Sequence, residues 1–275
     1  MEIALIEIKK PGDNKSYNAG FGTTFNLKTT PGTWILKKIR QSIEKFPTIS
    51  YAYISAIFKK YNHSVKYYLN TVPNECDLAI LNVTAIRNNE ETGIINTIKN
   101  KKKYKIGVYG VAADALPELY KNADFIITGE PENAIEQIAN TEKIPQGIID
   151  SKSLLNLEDI PYPDYKIFDI NKFSYSPLLP YKPFVFLESS RGCKYSCSYC
   201  PHRIKNNFRE KPLYKVIDEI KYMQGEYGVH AIHFVDSFFN MNEEKAKDFQ
   251  TEFKNGNINI KWSMETRVDT LTCEI

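Results

Sequence analysis

Five short, nearly unbroken apolar runs in the first half of the chain limit its fold more than any other feature: "IALIEI" (3–8), "VKYYL" (65–69), "DLAILNV" (77–83), "KIGVYG" (105–110) and "DFIITG" (124–129). Stretches with helical apolar spacing lie between most of them, at about 48–61, 91–101, 114–121 and 131–139. Strands that are apolar on both faces and separated by helices belong to a parallel sheet covered on both sides. The pattern therefore predicts a doubly wound, Rossmann-like α/β domain over residues 1–142. Only seven residues separate the second and third runs. That is too short for a crossover helix, so one helix is expected to be missing or reduced there.

In such sheets a ligand sits beyond the carboxyl ends of the strands, where the strand order reverses. The residues at those ends are Thr84, Gly110, Gly129 and Glu130, and "GEPE" doubles as a helix start. A long loop over 9–33 follows the first strand and holds four glycines. They do not form a G-x-G-x-x-G fingerprint, which argues against a nicotinamide site.

Between 161 and 183 stand five prolines, and the segment 143–182 reads as an extended linker. Beyond it, "FVFLESS" (184–190), a helix at 212–226, "AIHFVDSF" (231–238), a helix at 243–254 and "IKWSMETRV" (260–268) alternate strand and helix. Residues 183–275 are thus expected to form the first part of an α/β barrel, or an open parallel sheet. In the first of these helices Leu213, Val216, Ile217, Ile220 and Met223 make one apolar stripe.

The 36 basic and 33 acidic side chains of the 275-residue chain leave a formal charge of +3, too small to argue for a nucleic-acid partner. No run reaches the roughly 18 apolar residues a membrane span needs. The opening "MEIALIEIKK" is interrupted by Glu2 and Glu7 and reads as a strand rather than a signal peptide. A cytoplasmic location is the expectation.

Three of the five cysteines, Cys193, Cys197 and Cys200, fall in "SRGCKYSCSYCPH" just after the strand at 184–190. In a reducing compartment a tight cysteine cluster binds metal or does redox chemistry more often than it forms disulfides. Three readings stand side by side: a zinc site completed by His202, unliganded thiols, and an iron-sulfur cluster. Three thiolates can hold three irons of a cubane, leaving the fourth open to a substrate. Cys76 and Cys273 have no neighbouring ligand and are expected to be unliganded. His230 and His233 have odd separation on one strand, so they face opposite ways and cannot form a ligand pair.

The stretch "SSRGCKYSCSYCP" resembles the cluster loop of the radical S-adenosylmethionine superfamily, C-x3-C-x-aromatic-C, at Cys193, Cys197, Tyr199 and Cys200. "LEDIPYPDY", "YKVIDEIKYMQGEYGVHAIHFVDSFF" and "RVDTLT" resemble members with an N-terminal cobalamin-binding domain. The resemblance implies a 4Fe-4S cluster on the three cysteines. Its open iron would chelate S-adenosylmethionine, and reductive cleavage there would give methionine and a 5'-deoxyadenosyl radical. Tyr199 would lie beside the adenine, Asp236 near the amino group, and Arg267, on the third strand, would pair with the carboxylate. Cobalamin would lie over Thr84, Gly110, Gly129 and Glu130, and the reaction would be methyl transfer to an unactivated carbon. Cyclisation or rearrangement is the alternative. A methylthiotransferase is disfavoured, since the first domain carries only Cys76. A small-molecule or peptide substrate and a reductant such as flavodoxin or ferredoxin are the implied partners.

Two departures stand out. Residues 9–47 contain no histidine for the D-x-H-x-x-G stretch, so cobalamin would have no protein axial ligand from there. The barrel usually has six strand-helix units and about three strands follow residue 184, so a C-terminally truncated enzyme is expected, with an inactive remnant as the alternative.

Overall fold

Alternation along the first strand decides the architecture of the N-terminal half. In β1 (Glu2–Glu7), Ile3 and Leu5 join one buried cluster while Ala4 and Ile6 join another on the opposite face. A strand apolar on both sides needs cover on both. The computed structural model describes residues 1–10, 13–15, 30–151, 156–198, 200, 207–239, 243–256 and 258–270. Its chain divides into two units, one of Met1–Ser42, Thr48–Leu154 and Pro163–Phe168, the other of Ile43–Pro47, Leu155–Tyr162 and Asp169–Ile275.

In the first unit, β1 is followed by α1 (Pro31–Ile43), α2 (Ile49–Lys60), β2 (Ser64–Leu69), β3 (Leu78–Asn82), α3 (Asn88–Lys101), β4 (Lys105–Tyr109), α4 (Val111–Ala115), β5 (Phe125–Gly129), α5 (Glu132–Thr141) and β6 (Gly147–Ser151). The strands form a six-stranded, all-parallel sheet in the order β2-β1-β3-β4-β5-β6. Tyr51, Ile54 and Phe58 of α2 pack with Ile135 and Ile138 of α5 on the Ile3 face. Ile95 and Ile98 of α3 and Ala112 and Ala113 of α4 lie on the Ala4 face. The chain passes from β2 to β3 without a helix, as the short spacing requires. The strand order reverses between β1 and β3.

Two elements depart from the sequence expectation. Residues 143–182 are not a plain extended connection, because β6 lies inside them and pairs with β5 from Phe125↔Gly147 to Gly129↔Ser151. Only Ile148, Ile149 and neighbouring polar residues mark this edge strand, and the dense prolines that follow masked it. The prolines' own segment forms short 3-10 turns at Leu157–Asp159, Tyr165–Ile167 and Ile170–Lys172, the first two capped by Asn156 and Asp164 side chains. The other departure is α1, which begins within the loop assigned to 9–33. The backbone NH of Thr33 donates to Thr30 Oγ1 at 3.3 Å and that of Thr30 to Thr33 Oγ1 at 2.8 Å, a reciprocal cap ahead of Pro31 at the first helical position.

In the second unit, β7 (Phe184–Leu187), β8 (Ala231–Phe234) and β9 (Lys261–Met264) form a parallel sheet in that order. They alternate with α6 (Leu213–Tyr227) and α7 (Glu243–Asn255). Val216, Ile217, Ile220 and Met223 are the buried face of α6, as the stripe predicts. Phe234, Phe239, Phe249 and Trp262 form an aromatic cluster with centroids 4.8–6.1 Å apart. The last two strands are shorter than the sequence suggests. Asp236 and Arg267 therefore lie in the connections beyond β8 and β9, and Arg267 is not on a strand.

Candidate functional site

At the carboxyl end of β7 the chain stays buried through Glu188, Ser189, Ser190 and Arg191. Arg191 closes back on Glu188, with both Nε and Nη2 at 2.9 Å from Oε2. Ser190–Arg191 then pair antiparallel with Arg209–Glu210, and the Lys211 NH donates to the Ser189 carbonyl at 2.8 Å. These contacts tie the two ends of the cysteine loop together. Gly192, at φ +80°, sits where a Cβ would lie 2.5 Å from the Asn207 carbonyl oxygen, so the crossing excludes a side chain.

Charge is buried around this neck and tied into it by hydrogen bonds. Lys211 Nζ lies 2.6 Å from Glu219 Oε2 of α6, both side chains almost wholly inaccessible. Asp236 is fully buried. Its Oδ1 accepts from the Ser189 NH at 3.0 Å, the Ser189 hydroxyl at 3.0 Å and the Ser190 hydroxyl at 2.6 Å. A carboxylate receiving several donors in a dry site holds them in a fixed arrangement. Asp236 thus fastens the exit of β7 to the exit of β8. The sequence marked Asp236 but not this role, and it missed the Arg191–Glu188 and Lys211–Glu219 pairs because no motif connects their residues.

Cys193, Cys197 and Cys200 stand half-buried on the loop above the neck, and none is in a disulfide. The Cys200 NH donates to the Cys197 carbonyl at 3.0 Å, which puts the last two on one turn. Among the described residues no group of three His, Cys, Asp or Glu side chains is gathered closely enough to hold a metal ion. The donor set itself fits an iron-sulfur cluster: three soft thiols at a strand's carboxyl end, on a loop whose base is already fixed. Tyr199 and His202 lie outside the described residues, as does Cys273.

Arg267 comes to the same loop. Its Nη1 is 3.7 Å from Cys197 Sγ, and its guanidinium lies 4.3 Å from the centre of the Tyr195 ring. Nε and Nη2 grip Asp269 at 2.9 and 2.6 Å, and this hydrogen-bonded pairing raises the guanidinium's pKa above its ordinary value. The cation is held beside the cysteines whatever the pH. Tyr195, which also touches the Phe238 ring at 5.6 Å, escaped the sequence reading because nothing distinguishes it locally from neighbouring tyrosines. His233 belongs to the body of the sheet. It is buried against Tyr175 and Phe186, bonded to Ser263 Oγ at 2.9 Å, and burial pushes its pKa down to about 4.

The first sheet's carboxyl end is also built from the expected residues, but each is turned to neighbouring protein groups. Thr84 donates through its NH and hydroxyl to Glu91 at 2.9 and 3.1 Å. Gly110 lies where a Cβ would meet the Val83 carbonyl and the Asn82 amide oxygen, and Gly129 where it would meet the Ser151 carbonyl. The Glu130 carbonyl accepts from Ser151 Oγ at 2.5 Å. At the reversal point between β1 and β3, Lys15 is fully buried. Its ammonium reaches Glu91 at 2.8 Å and the carbonyls of Asn82 and Ile8 at 2.9 and 3.2 Å. Burial raises the Glu91 pKa, and Lys15 opposes that rise. Next to it Glu7 accepts from Thr48 and Tyr67. Burial alone would lift its pKa, yet Lys9 and Lys15, with those hydrogen bonds, hold it below its ordinary value.

Among the described residues the crest is thus filled by its own side chains, and the glycine approaches are taken up by protein backbone. These contacts lend the cobalamin reading no support, and no step below runs through it. His63, bonded to Ala139 O at 2.8 Å and to the terminal amine of Met1 at 2.9 Å, is a packing residue. Burial drives the Cys76 thiol up to about 12, which leaves it a poor ligand or nucleophile at neutral pH. No helix among the described residues is long and apolar enough to cross a membrane.

No family model matches the chain. It is 29% identical over 117 residues to an uncharacterized methyltransferase of Pyrococcus horikoshii, covering 42% of this chain and 25% of that protein. It is 25% identical over 179 residues to the hopanoid C-2 methylase of Rhodopseudomonas palustris, covering 62% and 31%. It is 25% identical over 172 residues to the anaerobic magnesium-protoporphyrin IX monomethyl ester cyclase of Cereibacter sphaeroides, covering 53% and 27%. The chain spans about a quarter to a third of the length of these relatives. Radical S-adenosylmethionine enzymes, methylases and a cyclase among them, are what it resembles, which supports that general class at low identity.

Proposed function

We propose that this chain carries the cluster-binding part of a radical S-adenosylmethionine enzyme, with Cys193, Cys197 and Cys200 as the ligands of a 4Fe-4S cluster. One observation carries the reading: three half-buried thiols on a single loop, suspended from a buried, hydrogen-bonded neck at the carboxyl end of a parallel strand. With a reduced cluster bound there, the group supplies an electron that cleaves the carbon-sulfur bond of S-adenosylmethionine, releasing methionine and a 5'-deoxyadenosyl radical.

The chain's own residues would prepare that event. Asp236, through Ser189 and Ser190, fixes where the loop leaves the sheet, so the thiols are presented from a rigid base. Arg267 keeps a positive charge beside Cys197, where it offsets thiolate charge and could turn one edge of its fork to the cosubstrate's carboxylate. Tyr195 screens that side of the loop by stacking on the guanidinium. Tyr199 would take the adenine.

The reaction we favour is methyl transfer to an unactivated carbon of a small-molecule or peptide substrate. The 5'-deoxyadenosyl radical would take a hydrogen atom from that carbon, and a second S-adenosylmethionine would supply the methyl group and leave as S-adenosylhomocysteine on delivery of a second electron from the reductant. Ring closure is the second reading. Methylase and cyclase names stand among the relatives, as do tRNA-2-methylthio-N(6)-dimethylallyladenosine synthases. Methylthio transfer is placed below the first two because the first domain carries only Cys76. The electron would come from a small reductant such as a flavodoxin or ferredoxin. The test is anaerobic reconstitution with iron and sulfide, then reduction in the presence of S-adenosylmethionine. The expected outcome is about four irons and four sulfides per chain and formation of 5'-deoxyadenosine. One tightly held zinc without sulfide would replace the proposal with a zinc-binding module.

A further inference from the structure

The helix α1 (Pro31–Ile43) presents its faces the wrong way round for a helix of a water-soluble core. Thr33, Lys37 and Gln41, four residues apart, form its half-buried stripe. On the opposite arc Trp34, Ile35, Leu36 and Ile39 are each 51–58% exposed. An amphipathic helix ordinarily turns its apolar arc inward, and a contiguous exposed apolar patch marks a binding surface.

We infer that this outward face of α1 docks on an anionic lipid surface, lying in the headgroup layer without crossing it. Charge argues for that occupant. The helix sequence "PGTWILKKIRQSI" contains no acidic residue; of its cations, Lys37 belongs to the half-buried stripe and Lys38 to the exposed arc. Lys38 shares the exposed arc, its ammonium 6.0 Å from the Trp34 ring centre, so an indole and a cation meet water together where a lipid headgroup would stand. Large aliphatic residues, an indole and lysines on one short helix are the composition of interfacial helices.

Size and charge both argue against a second copy of the chain. Thirteen helical residues make a rod about 20 Å long. One face of it offers on the order of 200 Å², well below the roughly 800 Å² per partner of a stable protein interface. A two-fold contact would also bring two sets of like charges together. A lipid surface has no such minimum area, and its negative potential rewards each nearby lysine.

The experiment is flotation of the whole 275-residue chain with vesicles of phosphatidylcholine alone or mixed with phosphatidylglycerol. Flotation is expected with the mixed vesicles only, falling away at about 1 M salt, where the screening length is roughly 3 Å. Ile35→Glu with Ile39→Glu should weaken it by at least about tenfold, and Lys38→Glu by a smaller factor. Circular dichroism checks that both variants keep the parent fold. Flotation with neither vesicle type, equal flotation with both, or unchanged flotation of the double variant overturns the inference. So does a sedimentation-detected dimer that the double variant dissolves, which would assign the face to a second copy. If the double variant does not fold, Lys38→Glu alone decides: unchanged flotation with mixed vesicles overturns the inference and reduced flotation supports it.

Discussion

At the carboxyl end of the first sheet, Lys15 and Glu91 meet out of water at 2.8 Å; at the carboxyl end of the second, three thiols stand half-buried on a loop. Both sheets are parallel, and both place their variable connections at the same end. Topology therefore marks where chemistry is allowed but not whether it occurs. The difference lies in the direction of the side chains. The first crest turns Thr84, Glu91 and Lys15 onto one another and packs its two glycines against backbone, whereas the second uses its buried charges to build a pedestal and leaves its metal-type donors half-buried on the loop above it. A filled crest stabilises a fold, and a pedestal positions a ligand set.

The largest expected effect tests the outward-facing side. Cys197→Ala should abolish iron and sulfide incorporation after anaerobic reconstitution, with the broad absorbance near 400 nm lost outright. The first unit, which shares no cysteine ligand with the loop, should unfold as in the parent. Unchanged iron in this variant would remove the cysteine loop from the comparison altogether.

Next comes the inward-facing side. Lys15→Met leaves Glu91 as a buried acid without its ammonium and should cost about 3–5 kcal/mol in denaturant titration of the first unit. Because burial already raises the Glu91 pKa, that deficit should shrink on acidification, as Glu91 takes a proton and ceases to be a buried charge. Glu91→Leu added to Lys15→Met should recover most of the loss. Iron incorporation in the second unit should not change. If Lys15→Met instead leaves stability untouched, the crest is not closed by this pair.

Most of the architecture behind this comparison was legible in the sequence. The apolar runs give five of the six strands of the first sheet: β1, β3, β4 and β5 are buried almost throughout, while the edge strand β2 is legible only from Val65 and its tyrosines. Edge strand β6 escaped because Gly147, Asp150 and Ser151 blur its pattern and one side of it meets solvent. The helix α1 escaped for a related reason: its apolar arc faces out, so no core periodicity runs through it. At the site, the cysteine spacing was readable because all three ligands lie within eight residues, while Lys211–Glu219 and Asp236–Ser190 join residues 8 and 46 positions apart and only folding reveals them. The four crest residues Thr84, Gly110, Gly129 and Glu130 were placed at the right ends of the right strands. What they face was not readable: Thr84 bonds Glu91, and Gly110, Gly129 and Glu130 meet Val83, Asn82 and Ser151, partners that no motif connects.

Acid should separate the two units in order. Burial lowers the His233 pKa from 6.5 to about 4, so the folded second sheet disfavours the charged ring. Its contribution is complete above pH 6.5 and is lost as the pH falls toward 4, by at most about 3 kcal/mol. Glu7, held below its ordinary 4.5, contributes stability that is present above that value and is lost only below it. The second unit should therefore loosen first. Trp262 fluorescence reports on it, and His233→Phe, surrounded by Tyr175 and Phe186, should flatten the decline between pH 6.5 and 4. A decline that persists in this variant would move the acid-sensitive group elsewhere.

The smallest effect probes the pedestal itself. Asp236→Asn keeps the shape but exchanges a carboxylate that accepts from Ser189 and Ser190 for an amide that turns donors toward hydroxyls able to reorient. The cost should be about 1–3 kcal/mol, since charge-assisted bonds are replaced rather than deleted. A purely structural aspartate would lower stability and leave the cluster of the folded fraction unchanged. A positioning aspartate should also alter that fraction, giving fewer irons per folded chain and a shifted electron paramagnetic resonance signal of the reduced cluster. Iron occupancy measured on material first selected for native circular dichroism distinguishes the two. Full occupancy with an unshifted signal would reduce the pedestal to a packing feature and leave the second crest different from the first only in its cysteines.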